Sequence, residues 1–454
     1  MKDSGTTQCL LFEGISKKRV EVRLTGQATS SDGGALFLKK ADQRLGLIKA
    51  MAAAVADRRD QSRIEHEVKE LIAQRVYSLA CGYEDANDAA RLSSDPLMKL
   101  ISGRDPEGRD LASQPSISRF ENSLRRADLF ALGTAIMTTL VENQRLRRAG
   151  QADRIIIDLD QTADEVHGEQ QRSLFNGHYG NHCFIPLLGG ITFNAESEQY
   201  PFVTLLRSGN SPDKKGAIGI LRWFLPVLRK AFPKTPIYLR LDAGFCAPEI
   251  LNYAESEGLL YAIGFGKNAV LKRAAGSLMR TVRRKSKESG ETERCFKATR
   301  YAARSWPHKR RVVIKAEVTC ATNREPRDNP RFVVTNIPLE PQALYEDFYS
   351  PRGEFENRIK ELKLDLKIDR TSCTRFFANQ SRLLLTLAAY LLLQEMRIKA
   401  KDTSLVRATV GQLRLKLIKV AARVTSSVRR ILIELPRAYP FQSDWLRIAN
   451  ALQT

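Results

Sequence analysis

The chain has 454 residues, of which 73 are Lys or Arg and 51 are Asp or Glu, giving a formal net charge of +22. Hydrophobic residues make up 43% and charged residues 27%, which excludes a disordered chain and allows two or three domains around a sizeable core. The cationic surplus fits a polyanionic partner, and the seven scattered cysteines, with no pair at CxxC spacing, exclude a disulfide framework and fit reduced thiols in the cytoplasm.

Residues 1–14 carry no apolar run, so no signal peptide is expected. Residues 35–150 read as helical, with apolar positions three and four apart over 35–55, 64–80 and 127–148. A further helix is predicted to start at Ser113, followed by Pro115. Ser116, Ser118 and Arg119 on its first turns offer a face for DNA, although an ordinary capped helix in a bundle is the favoured reading.

The pattern changes after Gly150. Residues 154–160 are apolar on both faces, as in a central strand, and 184–194 and 200–207 read as a hairpin across a short polar link. A helix over 215–232, a strand over 237–241, a helix over 248–257 and a strand over 259–265 complete the order β-β-β-α-β-α-β. That order predicts a mixed sheet in an α/β layer fold, the arrangement of ribonuclease-H-like (retroviral-integrase-like) cores. His178, His182 and Cys183 lie close together, but no second Cys/His pair follows, so zinc is not expected.

Residues 268–344 interrupt the core. Between Lys272 and Arg311 stand fourteen Lys/Arg, among them Arg283, Arg284, Lys285 and Lys287, against three Asp/Glu. Phe296, Tyr301 and Trp306 are interleaved, and strands are predicted at 311–318 and 331–335. The segment reads as a basic, β-rich insertion facing nucleic acid, with Trp306 available to stack on a base. A helix with Ser350 as N-cap and Pro351 at its first position opens the second part of the core, 345–400. The apolar run 383–393 reads as a buried helix, too short to span a bilayer. The basic region 401–454, with ten Lys/Arg and three Asp/Glu, alternates in part like strands over 413–420 and 428–435.

Three places carry chemistry. Asp158 and Asp160 lie two apart at the end of the first predicted strand and so share a face. Asp242 ends the strand 237–241 just before a turn, and sites in open α/β sheets form at such strand ends. At about 100° per residue, Arg352, Glu356 and Lys363 fall on one polar stripe beside the apolar stripe Phe355, Ile359, Leu362 and Leu366.

The spacing Tyr349-x2-Arg352-x3-Glu356-x6-Lys363 resembles the signature of a large group of bacterial cut-and-paste DDE transposases. Within that group the whole chain is similar to the insertion-sequence family numbered thirteen-eighty. The matching stretches are Ser30 to Ala35, Gly82 to Asp88, Ile157 to Thr162, Leu239 to Phe245 and Ser305 to Arg311. The resemblance implies Asp160, Asp242 and Glu356 as catalytic and metal-binding residues, with Asp158 as the alternative first acid. It further implies Mg²⁺, or Mn²⁺ in its place, as two ions, and Tyr349, Arg352 and Lys363 near DNA phosphates. The implied partners are the terminal inverted repeats and target DNA as double strands, with a homodimer in the DNA complex and no membrane. A ribonuclease-H-like nuclease or resolvase without strand transfer, and a non-catalytic DNA binder that represses or packages an element, are the competing readings.

Overall fold

The computed structural model describes residues 9–12, 14–15, 17–23, 28–321 and 324–453. The expectation of no signal peptide rests partly on residues 1–8, which lie outside the described residues. Helices fill the N-terminal third: α1 (Leu36–Leu45), α2 (Leu47–Ala54), α3 (Val68–Cys81), α4 (Gln114–Ser123) and α5 (Arg126–Arg147). The single helix expected over 35–55 is two, because Gly46 takes a left-handed φ of 70° that ends one helix and starts the next. The predicted helix after Ser113 is present, and α4 buries Ile117 and Phe120 in the core while Arg119 stays on the surface.

After α5 the chain builds a nine-stranded mixed sheet. Its first five strands are β1 (Ile155–Gln161), β2 (Leu187–Phe193), β3 (Gln199–Leu205), β4 (Ile237–Leu241) and β5 (Leu260–Phe265). Helices α6 (Ala217–Ala231) and α7 (Pro248–Ser256) connect β3 to β4 and β4 to β5. β1 pairs antiparallel with β2, and β2 with β3, while β4 lies parallel to both β1 and β5. β1 is central and buried on both faces, which is why its sequence, IIIDLDQ, is a near-continuous apolar run rather than an alternating one.

The insertion corrects the expectation in two ways. It opens with a 21-residue helix, α8 (Ala269–Ser289), rather than with strand or loop. Its strands, β6 (Glu293–Tyr301), β7 (Arg310–Ala321), β8 (Arg324–Asp328) and β9 (Arg331–Thr335), then extend the main sheet instead of forming one of their own. The sheet order is β6-β7-β9-β5-β4-β1-β2-β3, with β8 pairing the far end of β7, at Val318–Ala321, beyond the stretch that β9 covers. Ile156, Ala262, Val313 and Val333 point to one face, which Leu344, Tyr345 and Phe348 cover.

Those three residues belong to a helical segment that runs from Pro341 to Asp365, so Ser350 is not its N-cap. Pro351 has no N–H and its ring crowds the preceding turn. The segment absorbs it by passing through a wide π-helical turn (Leu344–Tyr349) and a tight 3-10 turn (Ser350–Arg352) before the α-helical stretch α9 (Gly353–Lys360). The apolar run 383–393 forms the middle of α10 (Phe376–Lys399), which is long and apolar enough to cross a membrane but is buried here against α3, α1, α5 and β3. One apolar cluster runs from Ala35 through the sheet to Leu452, so the N-terminal helices and the sheet share a core.

Residues 413–420, expected as a strand, are mostly helical. Leu413, Leu415 and Leu417 satisfy strand alternation, but Leu413 and Leu417 are also one helical turn apart, and only those two are buried while Leu415 is 69% exposed. The expected strand within 428–435 is present as Ile431–Glu434; it pairs with Ala422–Ser426, which in turn pairs with Thr29–Ser30.

Candidate active site

The parallel register of β1 and β4 sets Asp158 opposite Arg240 and Leu159 opposite Leu241. The next residue on each strand is an aspartate, so Asp160 and Asp242 stand at neighbouring carboxyl ends on the same face as Asp158. The two candidate first acids differ sharply. Asp158 is buried and receives both Nε and Nη2 of Arg240 at 2.8 Å, while Nη1 of Arg240 donates to the Phe348 carbonyl at 3.0 Å. Asp160 is less deeply set, its side chain 14% exposed, and its Oδ2 lies 3.4 Å from Nη1 of Arg352. Asp242 caps a tight turn, accepting from the Gly244 amide at 2.9 Å.

Glu356 is delivered by docking of its helix on the sheet. Gly190, opposite Asp158 on β2, permits the approach: a Cβ there would sit 2.2 Å from the ring of Phe355. One turn further on, Glu361 is buried and bonded by Tyr390 at 2.6 Å and Arg397 at 2.8 Å, which ties the segment to α10. Glu356 itself is half exposed, with Oε1 3.3 Å from Nη2 of Arg352. Arg352 therefore stands between Asp160 and Glu356.

Charge dominates this corner. Burial, and then the charge of Asp242, raise the pKa of Asp160 to about 6, against the pull of Arg352. Asp242 is also raised, mainly by burial and further by Asp213, with Arg352 opposing. Burial works against the cation on Arg352, but Tyr349, Asp160, Asp242 and Glu356 outweigh it and raise its pKa. Among the described residues, no three His, Cys, Asp or Glu side chains close tightly enough to enclose a metal ion. The set Asp160, Asp242 and Glu356 is nonetheless made of hard oxygen donors whose mutual repulsion calls for a cation, the role Arg352 fills in part.

A model of the transposase DDE domain, group 1, matches residues 12–454. The chain belongs to that family. No curated protein matches it. As a DDE transposase it is an enzyme of DNA transposition, DNA is its substrate, and its family generally uses divalent metal ions.

The remaining residues singled out in the sequence of this DDE transposase are scattered. Tyr349 is half-buried, close beside Gly264, where any Cβ would sit 2.5 Å from its hydroxyl. Burial first raises that phenol to about 12. Lys363 reaches the loop after Asp160, donating to the Ala163 carbonyl at 2.8 Å and to the Thr162 hydroxyl at 3.3 Å. Arg283, Arg284, Lys285 and Lys287 are exposed on α8; Arg283 pairs with Asp328, and Arg284 lies 3.9 Å from Glu288. Trp306 departs from expectation. It is 8% exposed, packed against Phe265 and Tyr301 with Arg310 over its ring, so it offers no open face to a base.

Arg240, Gly190 and Asp213 escaped the sequence reading. Asp213 sits so close to Gly244 that a Cβ there would meet its carboxylate, and Gln161, the residue after Asp160, donates to it. Arg207 holds this loop through the carbonyls of Pro212, Asp213 and Lys215 and through the side chain of Gln161. The run Ser211-Pro-Asp-Lys214 reads only as a turn, and nothing in it announces an acid near the site.

Proposed function

We propose that this DDE transposase moves an insertion sequence by cut-and-paste, cleaving phosphodiester bonds and joining the freed 3′-OH to target DNA at a single site. The observation that carries the reading is the meeting of Asp160 and Asp242 at adjacent strand ends with Arg352, which contacts both Asp160 and Glu356. The strand order, three antiparallel strands followed by two parallel ones joined through helices, supports a ribonuclease-H-like core.

Asp160, Asp242 and Glu356 are the residues that would hold Mg²⁺ or Mn²⁺, as a pair of ions. Such ions, when bound, make a nucleophile available at neutral pH and stabilise the leaving oxygen. The protein's own contribution is positional. Arg352 places a guanidinium where negative charge gathers on the phosphate. Lys363 fixes the loop after Asp160 and, with Tyr349, lines the approach of the DNA. Arg283, Arg284, Lys285 and Lys287 on α8 supply phosphate contacts at a distance from the acids, and two copies of the chain bring the two inverted repeats together. The test is incubation with Mg²⁺ and duplexes carrying the element's ends. Nicks bearing 3′-OH groups, hairpin ends and joined products are expected. Hydrolysis without joining would leave a nuclease, and no cleavage with intact binding would overturn the enzymatic reading.

A further inference from the structure

A second feature stands beside the acids. Residues Leu174–Asn176 and Asn181–Phe184 form an antiparallel hairpin, completed on its other edge by Asp164–Glu165. Its root is the catalytic end of the sheet. Asp164 follows closely on Asp160, and the chain leaves Phe184 to enter β2, where Leu187 pairs with Gln161. The tip is firmly built. The Asn176 side chain accepts from the amides of His178 (2.9 Å) and Tyr179 (3.3 Å) and donates to the Gly209 carbonyl at 2.6 Å.

Beside the exposed His178, Asn181 and His182, this hairpin displays three large apolar or aromatic side chains. Phe175 is 56% exposed, Leu174 40% and Tyr179 38%. His182 stands edge-on to Phe175 at 5.6 Å, and His178 edge-on to Tyr179 at 4.8 Å. Tyr179 feels the acids directly: burial, then the charges of Asp213 and Asp160, raise its pKa. Phe175 and Tyr179 thus keep part of each ring surface in water close to carboxylates. Of the parts of a DNA substrate, the flat uncharged bases suit such faces, and a base is free to stack on a protein ring only where it is unpaired.

We propose that the 174–184 hairpin is a stacking platform for unpaired bases flanking the phosphate to be cut. The proposal rests on the reading of Asp160 and Asp242 as the cleavage site. The probes are a blunt duplex and the same duplex with a short single-stranded tail carrying 2-aminopurine, titrated against the full-length protein without metal. The wild type should prefer the tailed duplex about tenfold, the scale of one stacked base, and quench the probe. Phe175→Ala/Tyr179→Ala should lose both the preference and the quenching while binding blunt duplex as before; Tyr179→Phe should keep all three. Blunt binding with no tail preference or quenching in the wild type would overturn the platform alone, as would a double variant that retains them. Failure of the wild type to bind either duplex would overturn the underlying reading with it. A double variant that changes the association state of the DNA-free protein, with tail preference intact, would assign the face to a second copy and also overturn the proposal.

Discussion

Asp158 is gripped by Arg240 through two 2.8 Å bonds in the interior, a pairing that commits this carboxylate to the fold. Removing one partner of such a pair strands a buried charge, at a cost of about 3–5 kcal/mol. Asp158→Ala is therefore expected to lower the melting temperature strongly, with cleavage lost through unfolding. Asp160→Asn is expected to abolish cleavage in a protein that melts no lower than wild type. Thermal unfolding beside a nicking assay checks both, and a stable, inactive Asp158 variant with an active Asp160 variant would reverse the assignment.

The raised pKa of Asp160 has a pH signature. Its folded-state value of about 6 lies above the ordinary 3.8, so the folded protein binds this proton more tightly than the unfolded chain does. The associated stability is complete below about pH 4 and is lost as pH rises through about 6. Asp160→Asn lacks this loss. Its stability advantage over metal-free wild type should open between pH 4 and 7, to on the order of 2–3 kcal/mol, and then level off. Denaturant titrations across that range measure it, and an advantage independent of pH would contradict it.

Arg352 neutralises two acids at once. Arg352→Ala should slow single-turnover cleavage on the order of 10²–10³-fold while metal affinity holds or rises, because a competing cation has gone. Arg352→Lys should rescue little, since an ammonium cannot span Asp160 and Glu356 as a planar guanidinium does. Calorimetric metal titration beside the kinetics separates the two effects. Full activity in the alanine variant would remove Arg352 from the site.

Lys363 ties the Glu356 helix to Thr162 and Ala163. Lys363→Met should speed amide hydrogen exchange over residues 162–164 in the DNA-free protein. Unchanged exchange with weakened DNA binding would make Lys363 a phosphate contact only.

On α8, each cation that touches phosphate should contribute about one unit to the log–log salt slope of DNA binding. Arg283 and Arg284 already have acidic neighbours, so neutralising Lys285 and Lys287 should shallow the slope more than neutralising the two arginines. Binding isotherms at several salt concentrations decide this, and slopes unchanged from wild type in both variants would place the DNA elsewhere.

The core strands were legible because β-branched and apolar runs sit between turn residues, and the strand predicted at 237–241 coincides with the observed one. The α8 helix was not, because its dense cations read as a loop, although Leu271, Ala275, Met279 and Val282 already marked a buried helical stripe. Trp306 and Tyr301 looked like base-stacking groups among cations, yet they satisfy one another. Glu356 was visible in the signature spacing and the aspartates in their places at strand ends; what separates Asp158 from Asp160 was not. That difference comes from the parallel register that puts Arg240 opposite Asp158, a relation between strands far apart in sequence.

Because the insertion's strands continue the main sheet, α8 and the acids are parts of one ruler. From β1 to β6 there are five strand spacings, about 24 Å, or roughly seven base pairs of duplex. If the basic helix grips DNA, the offset between grip and cut is counted out in strands, and adding or deleting one would move the cut rather than weaken the hold.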